Sequence, residues 1–365
     1  MRQLHSVEYQ SNKIVLDNII FALQKSGGVS AVWYELLRRL LENKKYNLKF
    51  IEQFTGKNIF RDRLKKDLPI ENKQIVPLSI ERYLPCRLKW NTPFVFHSSY
   101  YRICTNSLVK NITTVHDFTY ELYRKGMARS VHSWQKYNAV KHSKAIVCVS
   151  KNTRNDLLNY YPDIDERNVR VIYNGVSKEY YVDDSPLIGC HFPSGSYLLF
   201  VGMRTGYKNF HLAIEAAATS GMKLVIVGAP LSKQEKEFVL KHLKENQFEV
   251  LTGISNNLLN SLYNHAYAFI YPSSYEGFGI PVIEAQKAGC PVIAMNRSSI
   301  PEIIGDTPLL INSEDADEIV SKIFYLKNED YRKNIIEKGL LNSIRFSWDN
   351  MYEDYCELYN ELLEK

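Results

Sequence analysis

Short apolar runs alternate with longer amphipathic stretches along the whole chain. The runs are rich in β-branched and aromatic residues, and the stretches between them repeat apolar residues at steps of three and four. This alternation is typical of α/β proteins with parallel sheets. It predicts one clear helix in the first half, Val29–Glu42. Strands are predicted there at Ile14–Ile20, Leu48–Phe54, Phe94–His97, Thr113–His116, Ala145–Ser150 and Val169–Tyr173.

The second half repeats the pattern after a stretch rich in Pro, Gly and Ser at residues 182–196. Strands are predicted at Tyr197–Val201, Lys223–Val227, Glu249–Thr252, Ala268–Tyr271, Pro291–Met295 and Pro308–Ile311. Helices are predicted between them at Leu212–Ala218, Lys233–Lys244, Asn256–His265 and Pro281–Ala288. We therefore predict two doubly wound domains, 1–185 and 186–345. The amphipathic segment 346–365 is predicted to cross back onto the first domain.

Length and charge also favour two domains. The 365 residues exceed the usual size of a single hydrophobic core. Residues 1–180 carry 30 Lys and Arg against 16 Asp and Glu, a net +14, whereas residues 181–365 carry 16 against 24, a net −8. A basic first domain suggests an anionic partner. Nucleic acid, an anionic membrane surface and a pyrophosphate-linked acceptor all fit that charge.

Several classes of protein are disfavoured by what the sequence lacks. No apolar run reaches the roughly 18 to 20 residues that span a bilayer, and the polar opening lacks the apolar core of a secretory signal. We therefore expect a cytoplasmic protein. No GxGxxG follows a strand at either domain start, which disfavours a nicotinamide dehydrogenase. No recognised nucleic-acid-binding motif is present, so nucleic acid is not an expected partner.

The segment SSYEGFGIPVIEAQKAG at residues 273–289 carries the most chemistry. Pro281 suits the first turn of a helix and Gly289 suits its end. Gly277 and Gly279 allow a ligand to approach the backbone, and the N-terminus of a helix favours an anion such as a diphosphate. The carboxylates of Glu276 and Glu284 would repel that anion. Their position makes sense if they accept hydrogen bonds from hydroxyls of the same ligand, as in a sugar nucleotide.

A second segment, VGMRTGYKNF at residues 201–210, leaves a predicted strand at its carboxyl end, where open α/β sheets bind ligands. Arg204 and Lys208 lie on this glycine-containing loop. Two cations there could neutralise a diphosphate leaving group. The structural alternative is that the glycines serve only as turns and that Glu276 and Glu284 are ordinary surface carboxylates.

Together the two segments resemble the retaining glycosyltransferases of family 4. Glu276 and Glu284 match the E-x7-E hallmark of that family, and AGCPVIA at 288–294 matches the small-residue helix end and buried strand that follow it. The resemblance extends to GGV at 27–29, VHD at 115–117 and YNGV at 173–176. It implies the GT-B fold, in which two Rossmann-like doubly wound domains face a central cleft.

The resemblance also implies a role for each matching residue. Lys208 and Arg204 would hold the diphosphate, Glu276 would contact the transferred sugar and Glu284 the ribose. The catalytic residues would be Glu276, Lys208, Arg204 and His116, with His116 beside the sugar. The remaining donor-binding positions would be Gly28, Gly253, Ile254, Gly277, Phe278 and Gly279. Of these, Gly28 would lie against the phosphates or acceptor, and the Gly253–Ile254 turn near the base.

This sequence departs from the family pattern at one position. The family's arginine usually comes where this chain has Met203, and Arg204 is one residue later. Structural alternatives also stay open elsewhere, because His116 could be a hydrogen-bonding residue at a strand end and Gly28 could serve helix initiation. Asp117 and Asn174 could equally be turn and capping residues.

The expected activity is transfer of a sugar, with retention, from a nucleotide-diphosphate sugar to a hydroxyl of a saccharide or lipid-linked saccharide. Neither a cofactor nor a metal is expected. A sugar-nucleotide epimerase or hydrolase of the same fold, and a non-catalytic nucleotide-binding module, are the alternatives. The basic apolar segment KNIFRDRLKK at 57–66 suggests peripheral contact with an anionic membrane, with a solvated helix face or loop as its alternative.

Overall fold

The computed structural model describes residues 12–53, 57–64, 67–73, 76–307 and 309–364. The chain divides into two compact units. Unit 1 runs to Gly175 and also contains the C-terminal segment from Trp348. Unit 2 is Val176–Ser347. Each unit is built on its own parallel sheet, as the alternating pattern of the sequence predicts.

Unit 1 contains a seven-stranded sheet in the order β3-β2-β1-β4-β5-β6-β7. Its strands are β1 Lys13–Asp17, β2 Asn47–Glu52, β3 Ile70–Lys73, β4 Phe94–Ser98, β5 Val109–Val115, β6 Ala145–Cys148 and β7 Val169–Val171. The helices up to residue 160 are α1 Ile19–Leu23, α2 Gly28–Asn43, α3 Leu78–Glu81, α4 Thr119–Tyr123, α5 Gly126–Lys141 and α6 Lys151–Tyr160. Central strands such as β4 are buried throughout, because helices cover both faces of a parallel sheet.

Unit 2 contains a six-stranded parallel sheet in the order β10-β9-β8-β11-β12-β13. Its strands are β8 Tyr197–Val201, β9 Lys223–Val227, β10 Phe248–Leu251, β11 Ala268–Tyr271, β12 Val292–Met295 and β13 Leu310–Ile311. Its helices are α7 Phe210–Ser220, α8 Lys233–His242, α9 Asn256–His265, α10 Ile280–Lys287, α11 Ile300–Ile304, α12 Ala316–Tyr325 and α13 Glu329–Ser343. The strand order reverses direction between β8 and β11, so the loops that follow these two strands flank the switch point of the sheet.

The last helix, α14 Trp348–Glu364, belongs to unit 1. A buried polar network fastens it to the sheet. The Tyr359 hydroxyl lies 2.7 Å from His97 Nδ1, while Thr114 Oγ1 lies 2.9 Å from both His97 Nε2 and the Tyr355 hydroxyl. Burial lowers the pKa of His97 to about 3, so this imidazole is neutral at pH 7.

The boundary between the units falls at residues 175 and 176, ten residues before the predicted one. The backbone N–H groups of Tyr181 and Asp183 donate to the side chains of Asn260 and Asn264 on α9, at 3.0 and 2.7 Å. These contacts tie residues 176–185 to unit 2. The composition-based boundary missed them because such contacts depend on tertiary structure.

Most predicted strands are found within one to three residues of their predicted bounds. The main differences lie in unit 1, where β5 begins four residues before its predicted start. The predicted strand Ile14–Ile20 ends at Asp17, and α1 begins at Ile19. Strand β3 was not predicted at all, and Phe54 and Pro308 from the predicted strands lie outside the described residues. No helix in the described part of the chain is both long enough and apolar enough to cross a bilayer.

Candidate functional site

Lys208 and Glu276 form an ion pair in unit 2. Lys208 follows β8 and Glu276 follows β11, which are hydrogen-bonded neighbours in the sheet. Because parallel neighbours end at the same edge, the loops after them meet there. The two side chains are 15% and 12% exposed, so the pair is largely shielded yet reachable from solvent. This brings together two of the predicted site residues.

Asn209 fixes the loop that carries Lys208. Its φ of 48° lies in the left-handed region, which Asn tolerates better than most residues. The Asn209 side-chain amide donates to the Pro272 carbonyl at 3.0 Å and to Ser274 Oγ at 2.7 Å. The backbone N–H of Ser274 donates in turn to the Tyr207 carbonyl at 2.8 Å. These bonds hold the two loops in register.

Ser298 and Ser299 fix the other loop from the neighbouring strand β12. Ser298, with a φ of 52°, accepts a 2.9 Å hydrogen bond from the backbone N–H of Glu276. Ser299 is fully buried, and its hydroxyl lies 2.9 Å from the carbonyl oxygens of Glu276 and Phe278. Sequence reasoning missed both serines and Asn209. The available signal was two small hydroxyl residues just after a predicted strand.

The glycine loop leads into α10 as predicted. Gly279 has a φ of 103° and begins the helix without a side-chain cap, and Pro281 occupies its first turn. Gly289, with a φ of 73°, follows the end of the helix. Gly277, Phe278 and Gly279 are all buried. The N-terminus of α10 thus lies next to Glu276 and offers the helix dipole to an anion.

Glu284 lies one turn inside α10, beside two tyrosines. The Tyr263 hydroxyl donates to Glu284 Oε2 at 3.4 Å, and the Tyr180 hydroxyl also bonds this carboxylate. Burial raises the pKa of Glu284 to about 7, while the hydrogen bonds from Tyr180 and Tyr263 oppose that rise. Sequence reasoning did not identify these tyrosines, because neither is near Glu284 in the chain.

Arg204 does not join Lys208 and Glu276. Its Nε donates to Glu235 at 2.7 Å and one Nη donates to the Pro230 carbonyl at 2.9 Å. The hydrogen bond from Arg204 lowers the pKa of Glu235 to about 2. Both residues line a cavity of about 260 Å³ between α7 and α8. A diphosphate contact by Arg204 stays a prediction, and it would require the guanidinium to leave Glu235.

Gly253 and Ile254 follow β10, at the edge of the sheet in unit 2. Gly253 is exposed and has a φ of 62°, so the turn requires a left-handed residue. Ile254 is half-buried. Strand β9 lies between β10 and β8, and all three strands are parallel. The turn at Gly253 and Ile254 is therefore at the carboxyl ends of the strands, like the Lys208 loop, but two strands away from it.

In the described residues, no three His, Cys, Asp or Glu side chains are grouped so as to hold a metal ion.

In unit 1, His116 directly follows β5. Burial lowers the pKa of His116 to about 4. The Asp117 carboxylate opposes this shift and the Lys136 ammonium adds to it, so the imidazole is neutral at pH 7.

Gly28 is the first residue of α2, and a Cβ placed on it would meet no atom within 4 Å. Asp117 accepts a 2.9 Å hydrogen bond from the backbone N–H of Thr119, which is a turn contact.

Two families of known proteins match the two units separately. Residues 192–341 match the family described as glycosyl transferases group 1. Residues 26–180 match the family described as Glycosyltransferase Family 4. The chain is a group 1 glycosyltransferase. The resemblance stated from the Glu276 and Glu284 motif is thereby confirmed for the family.

Relatives of this glycosyltransferase include two from enteric bacteria. O-antigen chain mannosyltransferase B of Escherichia coli is 27% identical over 316 residues, which cover 78% of this chain and 81% of the relative. O-antigen chain mannosyltransferase RfbU of Salmonella typhimurium is 28% identical over 259 residues, covering 68% and 70%. These proteins connect the family to polysaccharide biosynthesis.

Solved structures confirm the GT-B fold of the glycosyltransferase. Sucrose-phosphate synthase from Thermosynechococcus elongatus superposes with a TM-score of 0.76 at 16% identity, covering 97% of this chain and 99% of that one. Anabaena Alr3699/HepE in complex with UDP and glucose superposes with a TM-score of 0.72 at 14% identity, covering 96% and 99%. The predicted pair of Rossmann-like domains is therefore correct.

The segment 57–66, predicted to dock on a membrane, is a poor interfacial anchor in this glycosyltransferase. Leu64 is buried and Phe60 packs against Tyr34, so of its three apolar anchors only Ile59 is largely exposed. Arg61 is paired with Glu52 at 2.7 Å. Lys65 and Lys66 lie outside the described residues. Leu64 and Phe60 therefore pack into unit 1, and Ile59 stays exposed.

Proposed function

We propose that this glycosyltransferase moves a hexosyl group from a nucleoside diphosphate sugar to a hydroxyl of a saccharide or lipid-linked saccharide, with retention of anomeric configuration. The observation that carries the proposal is the Lys208–Glu276 pair at the switch point of the sheet, next to the N-terminus of α10. Mannose is the favoured sugar because both enteric relatives are mannosyltransferases. The same relatives support a role in assembling a bacterial surface polysaccharide.

The proposed chemistry is a front-face substitution. The bond between the anomeric carbon and the β-phosphate oxygen breaks, and the acceptor oxygen bonds to the same face of that carbon. The hydroxyl proton of the acceptor moves to the departing phosphate oxygen. Lys208 and the N-terminus of α10 stabilise the negative charge that develops on the leaving diphosphate. Glu276, released from Lys208 by the donor, accepts a hydrogen bond from a hydroxyl of the transferred sugar.

Other residues have supporting roles in this proposal. Glu284 accepts hydrogen bonds from the ribose hydroxyls, and Gly253 and Ile254 lie near the base. The neutral imidazole of His116 exchanges hydrogen bonds with the sugar, and Gly28 leaves space for the phosphates or the acceptor. The reaction is proposed to need no metal, since permanent positive charge from Lys208 and the helix dipole is available to the diphosphate.

A donor panel tests the proposal. Thermal shift with GDP-mannose, UDP-glucose, UDP-N-acetylglucosamine and ADP-glucose identifies the nucleotide, because a saturating ligand raises the melting temperature through mass action. The preferred donor is then incubated with and without a mannoside acceptor, and the anomeric linkage of the product is read by NMR. We expect consumption that depends on acceptor and an unchanged anomeric configuration. Equal consumption without acceptor would identify a hydrolase or epimerase, and an inverted product would exclude the front-face mechanism.

A further inference from the structure

Helix α5 of unit 1 exposes large apolar side chains on one side. Met127, Val131 and Trp134 are 82%, 36% and 58% exposed. Their spacing of four and three residues places them on the same side of the helix. The opposite side is buried through His132, Lys136 and Val140. Single exposed apolar residues are common, but an exposed stripe at helical spacing marks an interaction surface.

A second exposed apolar group lies beside this stripe. It comes from α3 and the turn after it, where Ile80, Tyr83 and Leu84 are 52%, 38% and 42% exposed. The Gln135 side-chain amide donates to the Arg82 carbonyl at 2.6 Å, which fixes the turn against α5. We refer to these six side chains as the apolar surface: Ile80, Tyr83, Leu84, Met127, Val131 and Trp134.

The segment that contains α5 carries one sign of charge, and Glu81, next to Ile80 on α3, is paired with Arg102 at 3.0 Å. From residue 122 to residue 155 there are 8 Lys and Arg and no Asp or Glu. Arg124, Lys125 and Arg129 are exposed at the start of α5. Two carboxylates flank this stretch: Glu121 is buried and paired with Lys136 at 2.8 Å, and Asp156 accepts a 2.9 Å hydrogen bond from the side-chain amide of Asn152. At the far end of α5, Lys141 faces Asp163 at 3.8 Å, so the positive charge is concentrated at the N-terminal end of the helix.

We propose that the apolar surface and the cations at the start of α5 bind the glycosyltransferase to the surface of an anionic lipid bilayer. Exposed aliphatic groups, a tryptophan and flanking Lys and Arg are the combination that inserts at the boundary between headgroups and acyl chains. Aliphatic side chains add nothing to binding of a phosphate backbone in nucleic acid. The exposed charges at the start of α5 are all positive and would repel those of a second copy, which disfavours a contact between copies of the chain.

Docking on the bilayer would bring the enzyme to the lipid-linked acceptor, so the purpose of the docking surface rests on the proposed function. Binding to lipid is nevertheless measured without donor or acceptor. A failure to bind vesicles would leave transfer to a short water-soluble acceptor intact. A failure of transfer with vesicle binding preserved would leave the docking surface intact.

Intrinsic fluorescence supplies a direct measurement, because Trp134 is the most exposed of the four tryptophans. Trp33 and Trp348 are buried, and Trp90 is half-buried with its N–H bonded to Glu71. The protein is mixed with phosphatidylcholine vesicles with or without phosphatidylglycerol. We expect a blue shift and quenching by brominated lipid with the anionic vesicles, and both signals should be absent in Trp134→Phe.

Co-sedimentation with the same vesicles tests the surface residue by residue. Met127→Asp and the double variant Arg124→Glu/Lys125→Glu should each weaken binding by about tenfold or more. The matched control is Leu341→Asp with Ile344→Asp in unit 2, where both residues are more than two-thirds exposed, and it should bind like the wild type. Circular dichroism verifies folding of every variant.

Four results would overturn the inference. One is wild-type protein that stays in the supernatant with anionic vesicles at low salt. Another is binding that Met127→Asp and the charge-reversal variant leave unchanged. A dimer in gel filtration that Met127→Asp dissociates would make the surface a contact between copies. The last is a result in which DNA displaces all of the protein from the vesicles and vesicles alone do not shift Trp134 fluorescence, which would make the surface a site for polyanions.

Discussion

Replacing Lys208 by methionine removes one charge from the proposed site while keeping the length of the side chain. The Glu276 carboxylate, 12% exposed, then lacks its cation. A largely buried charge that loses its partner costs about 1–3 kcal/mol of stability after allowance for its residual contact with water. The effect on catalysis should be larger. Losing one charge that stabilises the leaving group lowers the rate by about 10²- to 10³-fold, or roughly 3–4 kcal/mol.

The assay separates these two effects. Melting temperature gives the stability loss, and kcat/KM for the preferred donor gives the catalytic loss of the folded fraction. Arg39→Met in unit 1 is the control, because that arginine is 7% exposed and paired with Glu35 and Asp349. It should lower the melting temperature about as much as Lys208→Met while leaving kcat/KM unchanged. Glu276→Gln should reproduce the catalytic loss.

The double variant Lys208→Met/Glu276→Gln provides a further check. Residues that act as one unit are non-additive, so the double variant should lose much less activity than the product of the single losses. Suppose that Lys208→Met lost as much stability as Arg39→Met but kept kcat/KM within about threefold of the wild-type value. That change would be well below the loss typical of a leaving-group contact, so the Lys208–Glu276 pair would be structural and the donor site would have been misplaced.

Four further predictions concern the surrounding groups. Ser299→Ala should lower kcat with little change in KM, because the loop that carries Glu276 loses a buried hydrogen bond. The control is Ser220→Ala, which removes a similar hydroxyl-to-carbonyl bond on α7 and should change neither kcat nor KM. Glu284→Gln should weaken nucleotide binding, and it should raise the melting temperature more at pH 8 than at pH 5. Burial raises the pKa of Glu284 in the folded protein to about 7, so the protonated carboxyl favours folding. That contribution to stability is lost as pH rises through 7, whereas glutamine stays neutral. Arg204→Leu should lower the melting temperature and reduce kcat/KM far less than Lys208→Met; a hundredfold rate loss at unchanged stability would instead support a direct phosphate contact. Donor consumption with acceptor should be equal in EDTA and in added Mg²⁺, and loss in EDTA restored by metal would contradict the proposed mechanism.

Hydrophobic periodicity predicted the strands of unit 2 well because buried parallel strands are apolar throughout. Tyr197–Val201, Lys223–Val227 and Ala268–Tyr271 match their predicted bounds. In unit 1 the apolar residues that follow Lys13 resume at Ile19 after Asp17 and Asn18, yet Ile19 begins a helix. The Ile20 backbone N–H donates to Ser99 Oγ at 3.0 Å, a contact that no local pattern contains. Tertiary hydrogen bonds therefore decided where that strand ends.

Polar residues inside strands caused the remaining differences in unit 1. Strand β5 begins at Val109, four residues before its predicted start, because Lys110 and Asn111 obscure the apolar pattern. The Asn111 side chain accepts from the Cys104 N–H at 2.9 Å and donates to the Cys104 carbonyl at 3.0 Å. The buried amide is thus satisfied by an adjacent segment, and a strand with a polar beginning becomes stable.

The candidate site shows the same limit of sequence reasoning. Lys208 and Glu276 were assigned to one donor site by the end of the strand before residues 201–210, by the glycine loop after Glu276, and by the resemblance of both segments to one family. The direction of the Arg204 side chain could not be predicted in the same way. Its loop also approaches Glu235 on α8 and the Pro230 carbonyl before that helix, and the guanidinium donates to both.

The backbone around the site explains why its support escaped the sequence. Among the described residues of unit 2, the non-glycine residues with positive φ are Asn209 and Ser298, and both hydrogen-bond to the loop that carries Glu276. A left-handed conformation costs a non-glycine residue about 1–2 kcal/mol, so neighbouring contacts must maintain it. Glycine would adopt this conformation more easily but has no side chain to hold the loop. Asn209 and Ser298 therefore combine an unfavourable backbone with a useful hydrogen bond, and this combination positions Lys208 and Glu276 before any donor binds.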